Sequence, residues 1–141
     1  MRTRLNLTIG LAVLLATGAA CNFSVSTANL SGLKIGKDKT VSQESATFGA
    51  NETVYGVATV SNAPNKVKVK GRLAVDDVPG QQTGPIPGLE TTVELPGSGT
   101  ATFTFSPPQD GWPKGKYKIE VVMLNEAGEQ KDQKVGSFAV Q

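Results

Sequence analysis

Along most of this chain apolar and polar residues alternate with a period of two. That is the pattern of an extended strand, whose successive side chains point to opposite faces. Residues 66–76 carry it most clearly: Val67, Val69, Gly71, Leu73 and Val75 fall on one face, Lys66, Lys68, Lys70 and Arg72 on the other. This predicts a strand with one buried and one wet face. Residues 99–106 repeat the pattern, with Ala101, Phe103 and Phe105 against Thr100, Thr102 and Thr104. Residues 116–124 set Tyr117, Ile119, Val121 and Met123 against Lys116, Lys118 and Glu120, while Val122 and Leu124 make the later half apolar on both faces. That later half is expected to be covered on both sides. Weaker alternation predicts further strands over 31–36, 53–61, 90–95 and 132–140. In the last of these, Phe138 and Val140 argue that their own face is the buried one. After the leader no stretch shows a convincing helical period.

Turn residues separate these segments. Asn62-Ala63-Pro64-Asn65 joins the second strand to the third, and Pro96-Gly97-Ser98-Gly99 and Asn125-Glu126-Ala127-Gly128 each suit a hairpin. Residues 77–89, with three prolines and three glycines, are expected to form a long surface connection. Seven short strands at intervals of about a dozen residues predict an all-β chain, a single antiparallel β-sandwich of about seven strands over residues 32–141.

The first twenty residues read differently. Met1-Arg2-Thr3-Arg4 is a positive start, Leu7 to Ala16 is apolar, and Thr17-Gly18-Ala19-Ala20 is a run of small residues before Cys21. This is the layout of a cleaved export signal, and the apolar run is too short for a membrane span, which takes about 20 residues. Gly-Ala-Ala-Cys resembles the lipobox of bacterial lipoproteins, although Gly18 stands where that family usually has Leu. The resemblance implies that Cys21 becomes the mature N-terminus and carries a thioether diacylglycerol and a further acyl chain such as palmitate, enough for stable anchoring. Asn22 is not the Asp that favours inner-membrane retention, so the implied address is extracytoplasmic, lipid-anchored to the membrane, and to the outer membrane if the cell is Gram-negative. Residues 21–31 then form the lipidated cysteine and a tether.

Two stretches of the mature chain resemble the immunoglobulin-like sandwich of bacterial extracytoplasmic domains of unknown function. Phe48 to Tyr55 enters the second strand in their manner. Gly111-Trp112-Pro113-Lys114-Gly115-Lys116-Tyr117 opens the sixth, where the resemblance implies a corner hydrogen bond from the Tyr117 hydroxyl. The fold alone implies no activity.

Composition narrows the chemistry. Of 14 Lys and Arg residues, Arg2 and Arg4 lie in the leader, leaving 12 against 12 acids, so the mature part has no net charge. That argues against a nucleic-acid partner, which calls for basic excess. With 1 cysteine and 0 histidines there is no internal disulfide, and the commonest general base and zinc ligand are missing. No nucleophile elbow, phosphate loop or metal spacing is present, and no cofactor is expected.

Four residue groups remain as candidate surfaces. Lys66, Lys68, Lys70, Arg72, Lys116 and Lys118, with Lys134 beside them, would gather on one sheet face if the third, sixth and seventh strands share a sheet. That face would suit an envelope protein or an anionic lipid or glycan, although a solvated face that blocks edge pairing explains it as well. Glu44, Glu52, Asp76, Asp77 and Asp110 share one end of the sandwich, but their spacing has no calcium-loop logic. Trp112, Pro113 and Tyr117 suit packing better than sugar stacking. Thr91, Thr92, Thr100, Thr102 and Thr104 are expected to form one polar face on the fourth and fifth strands. The expectation is a membrane-anchored, non-enzymatic binding or scaffolding module of the cell envelope. The alternatives are an accessory subunit that adds a sheet edge to a larger envelope complex and, less well supported, a carboxylate-dependent hydrolase.

Overall fold

Alternation is realised as two packed sheets. The structure, a computed structural model, describes residues 27–141. Its strands are β1 (Asn29–Gly36), β2 (Thr47–Phe48), β3 (Val54–Ser61), β4 (Val67–Asp77), β5 (Gly84–Leu95), β6 (Gly99–Phe105), β7 (Gly115–Leu124) and β8 (Gln130–Val140). One sheet has the order β1-β3-β6 and the other β2-β8-β7-β4-β5. All pairings are antiparallel except β2 with β8. The first strand region crosses from one sheet to the other between Gly36 and Thr47, a connection pinned by the Ser45 N–H on the Ile35 carbonyl at 2.9 Å. This is an immunoglobulin-like sandwich. It has eight strands because that crossing adds the short β2, too brief to show alternation.

The inner faces are those the alternation picks out. Val69, Leu73, Ala101, Phe103, Ile119, Val121 and Met123 are fully buried. Phe138 and Val140 are buried while Val135 on the opposite face of β8 is 56% exposed, which settles the side of that strand. β1 starts at Asn29, with Ala28 and Leu30 already in the core, two residues ahead of where alternation becomes visible. Val122 and Leu124 are half-buried on the outer face, and no described strand lies over them.

Residues 77–89 depart from expectation. Only residues 78–83 form a connection, and β5 begins at Gly84 and runs for 12 residues beside β4. Proline lacks a ladder donor and so belongs on an edge strand. Pro85 and Pro87 sit on one here, with β5 outermost in its sheet. Within it, Arg72 pairs with Glu90 but Ala74 pairs with Pro85, so residues 86–89 bulge out of the ladder opposite Leu73. Gly88, at φ +81°, supplies the left-handed backbone of that bulge. Pairing β5 with β4 also corrects two further expectations. Pro96–Ser98 is a corner between the sheets and not a hairpin turn within one, and the threonines separate: Thr91 and Thr92 lie on one sheet, Thr100, Thr102 and Thr104 on the other. The Asn125–Gly128 turn does close a hairpin, β7 to β8, with Gly128 at φ +82° and the Asn125 side chain accepting from the Glu129 N–H.

At Gly71 a ring of the opposite sheet fills the place of a side chain. A Cβ there would meet three ring atoms of Phe103 at 2.6–2.8 Å. Gly71→Ala is therefore expected to lower the free energy of unfolding by about 1–3 kcal/mol in urea denaturation. Gly32→Ala, with nothing within 4 Å of its new methyl, should change it by less than about 0.5 kcal/mol.

Candidate functional site

Most of the described residues singled out from the sequence lie in two places, an outer face of the larger sheet and the end of the sandwich where β4 and β6 finish and β3 and β7 begin. On the outer face the register aligns Lys68, Lys70 and Arg72 of β4 with Glu94, Thr92 and Glu90 of β5. On the other side it aligns Arg72 with Glu120 of β7, and Lys118 lies farther along β7. Five of the six cations thus share one sheet, with Lys66 just ahead of β4, and they are interleaved with carboxylates. Lys66 lies 3.5 Å from Glu94, Lys70 3.6 Å from Glu90, Arg72 2.6 Å from Glu120 and Lys118 3.4 Å from Glu120. Lys68 and Lys116 have no such partner among the described residues. Lys134 is on the other side of β8, in register with the inward-facing Val121. Cys21 lies outside the described residues.

At the end of the sandwich the acidic residues do not converge. Glu52 is committed to Lys37 at 2.9 Å and to the Gly49 N–H at 3.0 Å, and these bonds, the lysine first, hold its carboxyl below the ordinary carboxylate value. Among the described residues no three acidic, cysteine or histidine side chains are placed to hold a metal ion.

What the end does build is an apolar cleft. Trp112 and Tyr117 line it and head an aromatic row that runs on into the core: Trp112 meets Tyr117 edge-on at 6.1 Å, Tyr117 stacks on Phe138 at 5.5 Å, and Phe138 meets Phe48 edge-on at 5.2 Å. The polar atoms of the row are satisfied internally. The Trp112 indole N–H donates to the Glu52 carbonyl at 2.9 Å, and the Tyr117 hydroxyl donates to the Pro113 carbonyl at 2.6 Å. The second is the corner bond expected at Tyr117. With both rings more than nine-tenths buried, sugar stacking on their open faces is not available. The β5 bulge, through Ile86, Pro87 and Leu89, faces this row across a cavity of about 480 Å³. Pro108, Asp110 and Pro113 of the β6–β7 connection complete the wall, with Gln81 and Ser106 as polar members. The size and mostly apolar lining suit a small molecule or a short peptide segment.

Sequence reasoning found Trp112, Pro113, Tyr117 and Asp110 but missed Ile86 and Leu89. The Pro-Ile-Pro-Gly-Leu stretch breaks alternation and reads as loop. Its available signal was the pair of apolar residues amid prolines.

These features define an immunoglobulin-like β-sandwich module. A scan of protein-family models finds no match to the chain, and no curated protein sequence matches it. Several solved structures resemble it at low identity. An immunoglobulin-like protein from Pseudomonas aeruginosa is 15% identical, with 81% of this chain and 96% of that one covered and a TM-score of 0.47. The PmoD soluble domain from a Methylocystis species is 16% identical over 77% of this chain and 89% of that one, at 0.44. A Niemann-Pick type C2 protein from the Japanese carpenter ant is 18% identical over 81% and 92%, at 0.45.

Burial raises the Tyr117 phenol above its ordinary pKa, which gives the corner a pH signature. Tyr117→Phe leaves the Pro113 carbonyl without its donor and should cost about 1–3 kcal/mol of stability near neutral pH. A phenol that ionises less readily when folded contributes fully below its unfolded pKa, about 10, and loses that contribution as pH rises through the folded value. The stability gap between wild type and Tyr117→Phe, measured by chemical denaturation, should therefore be constant up to about pH 9 and narrow above 10.

Proposed function

We propose that the mature chain is a non-enzymatic binding module of the cell envelope, held at the membrane by acyl chains on Cys21, with its binding end directed away from the bilayer. The observation that carries this reading is the polarity of the sandwich. The first described residues, Thr27 and Asn29, bond to Asn62 at the β3–β4 turn. That turn lies at one end together with the Pro96–Ser98 corner, and the 480 Å³ cleft lies at the other. An anchor preceding residue 27 therefore approaches from the end opposite the cleft. The intervening residues 22–26, at most about 3.3–3.6 Å each, hold the domain close to the headgroups. Its occupant, in this reading, is an apolar ligand or an apolar segment of an envelope protein. The outer basic face ranks below the cleft because most of its lysines and its arginine already face glutamates, which reduces the field an anionic surface would feel.

Cell fractionation with intact-mass measurement tests the anchor. The wild-type chain should be recovered in membranes as a species starting at Cys21 with added acyl mass, and Cys21→Ser should shift to the soluble fraction. An uncut, unmodified wild-type chain in the cytosol would overturn the proposal.

A further inference from the structure

We infer that the free edge of β6 is a self-association surface, which pairs antiparallel with β6 of a second copy of this chain about a two-fold axis through Thr102. A strand at the end of a sheet presents a row of unpaired N–H and C=O groups, and proteins usually blunt such edges with charge, proline, bulges or brevity. Three of the four terminal strands are blunted in this way. β5 carries Pro85, Pro87, Glu90, Glu94 and a bulge. β1 carries Lys34 and a register shift at Leu30–Gly32. β2 has 2 residues.

β6 has none of these devices. Its sequence, Gly99-Thr-Ala-Thr-Phe-Thr-Phe105, contains no charge and no proline, and it pairs with β3 without a register shift. Its other edge has no partner strand among the described residues, because β5 joins β4 in the opposite sheet. The charge-free run extends from Leu95 to Gln109 in the sequence.

The strand is also complementary to itself. Antiparallel pairing centred on Thr102, its midpoint, sets Thr100 against Thr104 and Thr102 against Thr102 on the exposed face. No charge meets its own copy, and every exposed cross-strand pair is threonine on threonine, a favourable combination. A closed two-fold contact uses the same patch on both partners, and the result is one continuous sheet of six strands. The two N-terminal ends then point in opposite directions. The contact thus joins molecules facing one another across a gap, each with its cleft end directed away from its own anchor, and not upright neighbours. The inference does not depend on acylation of Cys21 or on the cleft.

The test is sedimentation velocity on the mature chain carrying Cys21→Ser, across concentrations up to about 1 mM, a standard range for weak dimers. A reversible monomer–dimer equilibrium is expected. Thr102→Lys, which places two ammonium groups opposite each other, should weaken it about tenfold or more. Thr59→Lys on β3, in the same sheet but away from the edge, should leave it unchanged. A bis-maleimide should join Thr102→Cys chains to each other far faster than Thr100→Cys chains, a readout that survives if the lysine variant folds poorly. A chain that stays monomeric throughout, a dimer indifferent to Thr102→Lys, or equal cross-linking at positions 100 and 102 would each overturn the inference.

Discussion

The far end of the sandwich hangs on one indole. Trp112 donates from its ring to the Glu52 carbonyl, and its backbone N–H donates to the Ala50 carbonyl at 2.7 Å. These two bonds tie the β6–β7 connection to the connection that leads into β3, so the two segments that cross between the sheets at this end are fastened to each other. Tyr117, one strand turn later, sits between Trp112 and Phe138 and fastens its hydroxyl to the same connection. A buried donor left unpaired costs far more than the bond itself yields. Trp112 and Tyr117 are therefore held in place where they line the cleft.

The alternation of β4, β6 and β7 was legible because each has a single wet face, and the corner bond of Tyr117 was legible from its place at the start of β7. The path of β5 was not. Its first half carries two prolines and a bulge that destroy the period, and the choice between pairing with β4 or β6 is made by tertiary contacts with no local signature. That single choice separates the two threonine groups, opens one edge of the smaller sheet and places Ile86 and Leu89 over the aromatic row. A sequence reading that found only residues 90–95 of β5 accordingly lost the cleft, although it named most of the opposite wall. β2 was lost for a different reason, since 2 residues cannot show a period.

The outer face of the larger sheet shows how charge is used where little net charge exists. Glutamates on β5 and β7 flank β4, so Arg72 lies between Glu90 and Glu120 in register. Exposed pairs of this kind add at most about 1 kcal/mol each. Their greater effect is on alignment, because a one-residue slip of β5 would carry its glutamates to the opposite face of the sheet. The charges that read as a basic stripe in one dimension thus become a mixed pattern in two.

Phe103 seated over Gly71 constrains how the two layers can move. With a ring occupying the space of a missing side chain, neither sheet can slide along the other without lifting that ring out of its seat, and close-packed interiors resist such displacement. A second seat of the same kind, the Ile35 side chain of β1 against Gly136 of β8, joins the sheets elsewhere. The layers are thus keyed to one another at two points and not hinged at one.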